Sequence, residues 1–266
     1  MSIKLTEVID GLNEIAPLTL AGSWDNVGVL IEPKTERGHV TNGLVTIDLT
    51  EIVLEEAIEL KAELIVAYHP IMFGGVKALR QTNAHGRMIM RAIAHGVTVY
   101  SPHTALDAVR GGVNDWLVKG LGEVVDVTAL EPAAELVAPT GMGRRAKLAE
   151  PVPLEACVTR LKAHLDLSHV RLAQGGQQTI ESVAVCPGAG GSMLAPLRGV
   201  DLVITGEMRH HDVLALTAAG TSVILTDHTN CERGYLPVLL SKLTQRFGDE
   251  IKWHIAQHDA DPLVIV

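Results

Sequence analysis

Aromatic side chains are scarce in this chain of 266 residues: three Trp, three Tyr and two Phe amount to 3% of it. A core with so few rings has to be built from Ala, Val, Leu and Ile, which suits the buried parallel strands of an α/β protein. Cysteine is scarce as well. Cys157, Cys186 and Cys231 have no C-x-x-C spacing, so they imply neither a disulfide framework nor a zinc ribbon and fit a reducing compartment. Positive charge is in deficit, with 22 Lys and Arg against 31 Asp and Glu and a formal net charge of −9. Direct nucleic-acid binding would then need a local basic patch. The only cluster, Arg144-Arg145 with Lys147, reads as a solvated turn. No apolar run is long enough to span a bilayer. The first residues lack a signal-peptide core and an Arg-rich transit pattern, so the expectation is a cytoplasmic protein without a membrane partner.

What the chain does have is alternation. Hydrophobic residues are 47% and charged ones 20%, the balance of a globular chain with a sizeable core. Residues 3–15 carry apolar positions at helical spacing, ending near Pro17. Leu44 to Ile47 reads as a buried strand ending at Asp48, and Thr50 as the cap of a helix running to about Leu60. Leu64 to Ala67 is the next strand, ending at Tyr68-His69-Pro70. A helix from about Arg87 to Ala94 stops at Gly96, and Val97 to Tyr100 ends at Ser101-Pro102-His103. This β-α-β-α-β order argues for a parallel sheet with right-handed crossovers. Residues 121–180 are interrupted by prolines, with one helix (154–165) and one strand (170–173), and read as a small insert. The first layout then returns in strands at 183–186, 201–204 and 222–225. The expected architecture is α/β, with two related lobes (1–120 and 181–266) and mainly parallel sheets.

Ligands collect at the carboxyl ends of strands in such sheets. The reactive side chains fall there: Tyr68-His69, His103 with Asp107, Glu207 with His210-His211, and His228 with Glu232. The pairs His103/Asp107 and His228/Glu232 share a four-residue gap, which puts both members on one face if a helical turn has begun. A lone His at a strand end is more often structural than a ligand. Asp107 and Glu232 could equally cap or charge a helix start, and His210-His211 could be a solvated first turn. Convergence favours a metal held by imidazole and carboxylate in the cleft between the lobes, a donor set suited to Zn, Mn, Fe or Ni rather than Ca or Mg. The turn Pro187-Gly188-Ala189-Gly190-Gly191-Ser192 reads as a tight βα connection or an anion cradle. Asp25-Asn26, after Trp24, reads as a turn or a pocket wall. Cys231 has no base beside it and reads as a bystander.

Taken together, Ser23-Trp24-Asp25-Asn26-Val27-Gly28, Tyr68-His69-Pro70, Ser101-Pro102-His103-Thr104-Ala105-Leu106-Asp107, Gly112-Val113-Asn114-Asp115-Trp116-Leu117, Thr205-Gly206-Glu207-Met208-Arg209-His210-His211 and Asp227-His228-Thr229-Asn230-Cys231-Glu232-Arg233-Gly234 resemble the NIF-three-like family, many of whose bacterial members carry the label GTP cyclohydrolase I type 2. The resemblance spans nearly the whole chain. It implies two related α/β lobes around a dinuclear centre of divalent ions (Zn, Fe, Mn or Ni), a hexameric assembly, and His69, Asp107, His228 and Glu232 as metal ligands, with Glu232 bridging the ions. Tyr68 stands where many bacterial members have a His. A phenol, with a reference pKa of ~10, is a poorer neutral ligand than imidazole, so the second ion is expected to bind weakly through Tyr68, His103 or water. The implied activity is metal-dependent hydrolysis of a nucleotide or cyclic amide, with His103, His210 and His211 as acid/base or outer partners. The alternative is a metal-binding scaffold, metal chaperone or partner of a transcriptional co-regulator.

Overall fold

The computed structural model describes residues 2–34, 38–133 and 139–266. The chain is a mixed α/β protein that divides into two compact units, Met1–Leu106 with Leu236–Val266, and Asp107–Tyr235.

The first unit is built on a five-stranded sheet in the order Lys252–Ile255, Asn42–Thr46, Leu64–Ala67, Thr98–Ser101, Gly28–Ile31. The first four run parallel, and Gly28–Ile31 closes the edge antiparallel. Leu64 to Ala67 is buried at every position, as a strand covered on both faces requires. The helices Glu51–Glu59 and Ala84–Ala94 pack Val53, Leu54, Ala57, Ile89 and Ala92 against Leu44, Ile65 and Val99. The Thr50 hydroxyl accepts the Val53 N–H at 3.4 Å, the cap expected from the sequence.

The segment after Lys252–Ile255 is tied down by carboxylates. Glu56, buried on its helix, accepts the N–H groups of Gln257 at 2.9 Å and His258 at 3.1 Å, and its Oε2 lies 3.0 Å from His258 Nδ1. Burial raises the Glu56 carboxyl, but the bonds from Gln257 and His258 outweigh it and hold the group below the usual carboxylate range. Asp259 accepts the Ile47 N–H at 2.7 Å.

The second unit has a six-stranded sheet ordered Arg171–Ala173, Ser222–Leu225, Leu202–Thr205, Thr179–Cys186, Arg144–Pro153, Val124–Thr128. Three neighbouring inner strands, Ser222–Leu225, Leu202–Thr205 and Thr179–Cys186, are parallel, and the others join antiparallel. Successive residues face opposite sides. Val183, Val185, Leu202, Ile204 and Ile224 pack with Leu117, Leu121 and Leu161, while Ala184, Cys186, Val203 and Val223 pack with Leu194 and Leu216. Residues 121–180, set apart as an insert on the sequence pattern, supply three strands to this same sheet, and the helix Leu236–Phe247 groups with the first unit.

One expectation is overturned here. Arg144 is not in a solvated turn: it is fully buried at the start of the strand Arg144–Pro153. Its guanidinium pairs with Asp115 and donates to the carbonyls of Gly141 (2.7 Å), Gly143 (2.9 Å) and Ala108 (3.3 Å). Arg145 and Lys147 alternate outward, so the basic cluster is a period-2 strand with one cation turned in.

Two stability predictions follow from these charges. Asp115→Asn, which leaves the Arg144 cation without its counter-charge, lowers unfolding free energy by about 3–5 kcal/mol in urea titrations. Glu56→Gln lowers the melting temperature at pH 7. A carboxyl with a depressed folded pKa stabilises fully above its unfolded value of roughly 4.3 and loses that contribution as pH falls through the folded value. The melting curves of wild type and Glu56→Gln therefore converge as the pH drops below about 4.

Candidate metal centre

In the first unit the reactive residues sit just past the ends of parallel strands. Tyr68 and His69 extend the ladder beyond Ala67, donating their N–H groups to the carbonyls of Thr46 at 2.9 Å and Ile47 at 3.0 Å. This brings His69 Nδ1 to 2.9 Å from Asp48 Oδ1. An ionised carboxylate only accepts, so Nδ1 is the donor in this contact.

His103 follows the strand Thr98–Ser101 and opens the helix His103–Ala108 with φ at +30°. A side-chain-bearing residue there is strained by about 1–3 kcal/mol. Asp25 holds it in place: His103 Nδ1 lies 2.8 and 2.9 Å from the two Asp25 oxygens, and Thr104 donates to the same carboxylate from its N–H at 3.2 Å and from its hydroxyl. Burial raises the Asp25 carboxyl, yet the bonds from His103, Thr104 and Asn26 leave it below the usual range. Tyr68 is buried, its ring centroid 5.0 Å from that of His69 and 5.6 Å from that of His103.

The second unit gathers three parallel strand ends. Thr179–Cys186 runs into Gly188, Leu202–Thr205 into Glu207, and Ser222–Leu225 into His228. His228 Nδ1 lies 3.3 Å from Glu207 Oε1 and its Nε2 lies 3.8 Å from Glu232 Oε1. Glu232 is buried. Gly188, at φ +58°, makes this approach feasible, because a Cβ there would sit 2.6 Å from Glu232 Oε1 and 2.9 Å from His228 Nε2. The turns are locked together by the Thr205 hydroxyl and the Glu207 N–H, which both donate to the Gly188 carbonyl, at 3.2 and 3.0 Å. The buried Cys231 Sγ accepts the Gly188 N–H at 3.2 Å. Burial first, then the Glu232 charge, push the Cys231 thiol far up, which removes it as a nucleophile and supports its reading as a bystander.

The four-residue spacing of His228 and Glu232 suggested a helical turn, but the structure uses two 3₁₀ turns, Thr229–Cys231 and Arg233–Tyr235, before the helix Leu236–Phe247. The outcome is the same pairing by tighter local geometry. His69, His228 and Glu232 make up the candidate metal-ligand group among the described residues. Asp107 is buried on its helix, where its carbonyl accepts the Asn114 side-chain N–H at 3.1 Å. After burial, its charge is the next influence raising the Cys186 thiol. His210 and His211 are exposed at the start of the helix His210–Ala218, with ring centroids 5.5 Å apart. The glycine-rich turn is spoken for by packing: a Cβ at Gly190 would meet Cys186 Cβ at 2.4 Å and one at Gly191 the Glu207 carbonyl at 2.7 Å. Sequence reasoning missed Asp48 as the partner of His69. The signal was an acid at the tip of the strand neighbouring Leu64–Ala67.

Fold and site together define an α/β protein with mainly parallel sheets and a candidate metal group of imidazole and carboxylate. The profile of one family, Duf34/NIF3 (NGG1p interacting factor 3), matches residues 3–262, and the chain belongs to that family. It is 41% identical to NIF3-like protein 1 of Drosophila melanogaster, over 99% of this chain and 89% of that protein. It is 37% identical to NGG1-interacting factor 3 of Saccharomyces cerevisiae, over 98% of this chain and 97% of the relative. A hypothetical protein of Staphylococcus aureus shares the fold with a TM-score of 0.85 at 26% identity, covering 100% of both chains. No helix among the described residues is long and apolar enough to cross a membrane.

Gly188→Ala tests the close approach. The added methyl drives Glu232 and His228 apart, and the left-handed backbone costs a further ~1–2 kcal/mol. The expected outcome is a fall in zinc affinity of roughly tenfold or more with a modest fall in melting temperature, read by competition with a chromogenic chelator and by thermal melts.

Proposed function

We propose that this chain is a metal-binding protein acting as a metal-dependent hydrolase, with His69, Asp107, His228 and Glu232 as ligands. One observation carries the reading. His228 Nε2 lies 3.8 Å from an oxygen of the buried Glu232, and only a glycine at 188 allows it, since a Cβ there would stand 2.6 Å from that carboxylate and 2.9 Å from that nitrogen. The nitrogen-and-oxygen donor set suits Zn, Fe, Mn or Ni over Ca or Mg. The resemblance adds a second ion, bound more weakly because Tyr68 replaces an imidazole.

A bound divalent ion would supply Lewis acidity toward water and toward a carbonyl or phosphoryl group. The chain's own residues supply the rest. Asp48 orients His69 through Nδ1, and Glu207 lies beside Nδ1 of His228. His103, oriented by Asp25, presents Nε2 as an acid/base group beside Tyr68. His210 and His211 are secondary acid/base candidates on an exposed turn. A nucleotide-like or cyclic amide substrate, a homohexameric assembly and a cytoplasmic setting complete the reading, and the net charge of −9 weighs against direct nucleic-acid binding.

A second reading draws on the family description and the yeast relative's name, which both speak of interaction with NGG1. On it, the metal stiffens the ligand-bearing turns of a scaffold, metal chaperone or transcriptional co-regulator partner, and no substrate is turned over.

Elemental analysis of purified wild type, His228→Ala and Glu232→Ala, with a panel of nucleotides, cyclic amides and esters, separates these readings. The expected result is bound transition metal in wild type, at least tenfold less in both variants, and metal-dependent turnover of one substrate class. Equal metal in all three proteins overturns the metal assignment. Bound metal without turnover, with chelation lowering only the melting temperature, favours the scaffold.

A further inference from the structure

Gly112-Val113-Asn114-Asp115-Trp116-Leu117 is a pronounced motif of the sequence, yet it supplies no proposed ligand. It forms the helix Val113–Lys119 with Gly112 as its N-cap, inside the second unit. Three successive side chains of this helix reach other turns of that unit. Asn114 is fully buried, and its side-chain N–H donates to the Asp107 carbonyl at 3.1 Å. Asp115 accepts the Gly111 N–H, and the Gly111 carbonyl accepts the Tyr235 hydroxyl at 2.8 Å. Trp116 lies against Gly234, where a Cβ would stand 2.7 Å from the indole Cζ2 and 2.8 Å from Cη2.

The turns reached in this way carry carboxylates. Glu232 joins the two 3₁₀ turns: its N–H donates to the Thr229 carbonyl at 3.1 Å, and its carbonyl accepts the Tyr235 N–H at 2.9 Å. Seating Gly234 and tying the Tyr235 hydroxyl therefore fixes the chain just beyond Glu232, while Gly188 crowds its carboxylate from the other side. Trp116 is itself held. Its ring stacks on His164 with centroids 4.3 Å apart at 37°, and meets Tyr235 edge-on at 6.1 Å. A Cβ at Gly120 would strike the His164 ring at 2.4 Å, so the stack has no slack behind it.

Asn114 is the less expected of the two. Its Oδ1 is buried with no hydrogen-bond partner among the described residues. A buried amide left half-paired is costly to folding, and an apolar side chain of similar volume would avoid the cost. Packing alone gives no reason for Asn at this position, whereas holding the Asp107 backbone does. Side chains two positions apart on a helix point roughly 200° apart, so one short helix can brace two elements on opposite sides.

We propose that the helix Val113–Lys119 is a template for the two carboxylate ligands, with Asn114 as the positioning residue for Asp107 and Trp116 as the positioning residue for Glu232. These roles rest on the metal reading of Asp107 and Glu232 above, and they fall to residues that themselves touch no metal.

The test compares zinc affinity, by chelator competition, with the melting temperature of the metal-free protein. The variants are Asn114→Leu, Trp116→Phe, Gly234→Ala and the double substitution at 116 and 234. Trp116→Phe withdraws the outer indole ring from Gly234 and keeps a ring beside His164. Gly234→Ala drives a methyl group into the indole. In the double variant that methyl enters the space the indole leaves, and Gly234 has no left-handed φ to oppose it. Each single substitution is expected to weaken zinc binding roughly tenfold, the loss typical of residues that orient a ligand. The double variant should regain most of it, and the metal-free melting temperatures should stay close to wild type. Wild-type zinc affinity in Asn114→Leu and Trp116→Phe overturns the proposal. So does a loss of affinity that tracks the metal-free melting temperature across the four variants, because the helix is then core packing alone. Glu232→Ala in the same assay keeps the two readings apart. If it binds zinc as wild type does, the metal assignment falls and the template with it. Zinc lost in Glu232→Ala but retained in the helix variants sinks the positioning roles alone.

Discussion

The second unit turns on how closely two turns can approach. Gly188, at the end of Thr179–Cys186, lies against the Glu232 carboxylate and the His228 imidazole, with no space for even a methyl group. That contact depends on the parallel register of three strands, which brings Cys186, Thr205 and Leu225 level. It depends also on carbonyls and amides of the neighbouring turns pairing with one another rather than with water. Gly206 repeats the constraint, since a Cβ there would meet the Gly188 and Asp227 carbonyls at 2.7 and 2.8 Å. Glycine in both turns is a steric requirement of the site, and the apolar sheet beneath supplies the rigidity that keeps the turns together.

Orientation is the second constraint. Three imidazoles at strand ends each present Nδ1 to a carboxylate: His69 to Asp48, His103 to Asp25 and His228 to Glu207, at 2.9, 2.8 and 3.3 Å. The acids come from neighbouring turns in each case. The common result is an imidazole ring oriented through one nitrogen, which is how an imidazole is prepared as a ligand or a base. A structural histidine needs only one satisfied nitrogen and has no need for the same nitrogen to be chosen three times. Asp25 shows the strength of the arrangement, because its hydrogen bonds overcome the penalty of burial and keep it ionised.

Much of this was legible from residue pattern. Buried parallel strands read as unbroken Val, Ile and Leu runs, and Asn42–Thr46, Leu64–Ala67, Thr98–Ser101, Leu202–Thr205 and Ser222–Leu225 lie where those runs fall. Polar residues immediately after them located His69, His103 and His228, since a strand covered on both faces has few other places for an imidazole. Arg144–Pro153 was not legible. Its alternation is real, but the first inward position is an arginine, and hydrophobic periodicity cannot register a buried cation. Lys252–Ile255 was hidden for a related reason, having an apolar residue only at every second position of a short run. The carboxylate partners depend on which strands are neighbours, and strand order is a tertiary fact that spacing along the chain does not contain.

Buried charge separates the structural from the functional in this protein. Glu56 collects N–H groups from Gln257 and His258, and Arg144 collects carbonyls along with Asp115. In both, each buried charge faces groups of opposite polarity, so burial is offset locally and the product is a chain crossing held in place. The pair formed by His228 and Glu232 is of another kind. His228 Nε2 and Glu232 Oε1 lie 3.8 Å apart, and a Cβ at Gly188 would strike both. An imidazole nitrogen and a carboxylate oxygen held together at strand ends are the donor types of a metal site, and the steric demand on Gly188 is the physical ground for reading these turns as one.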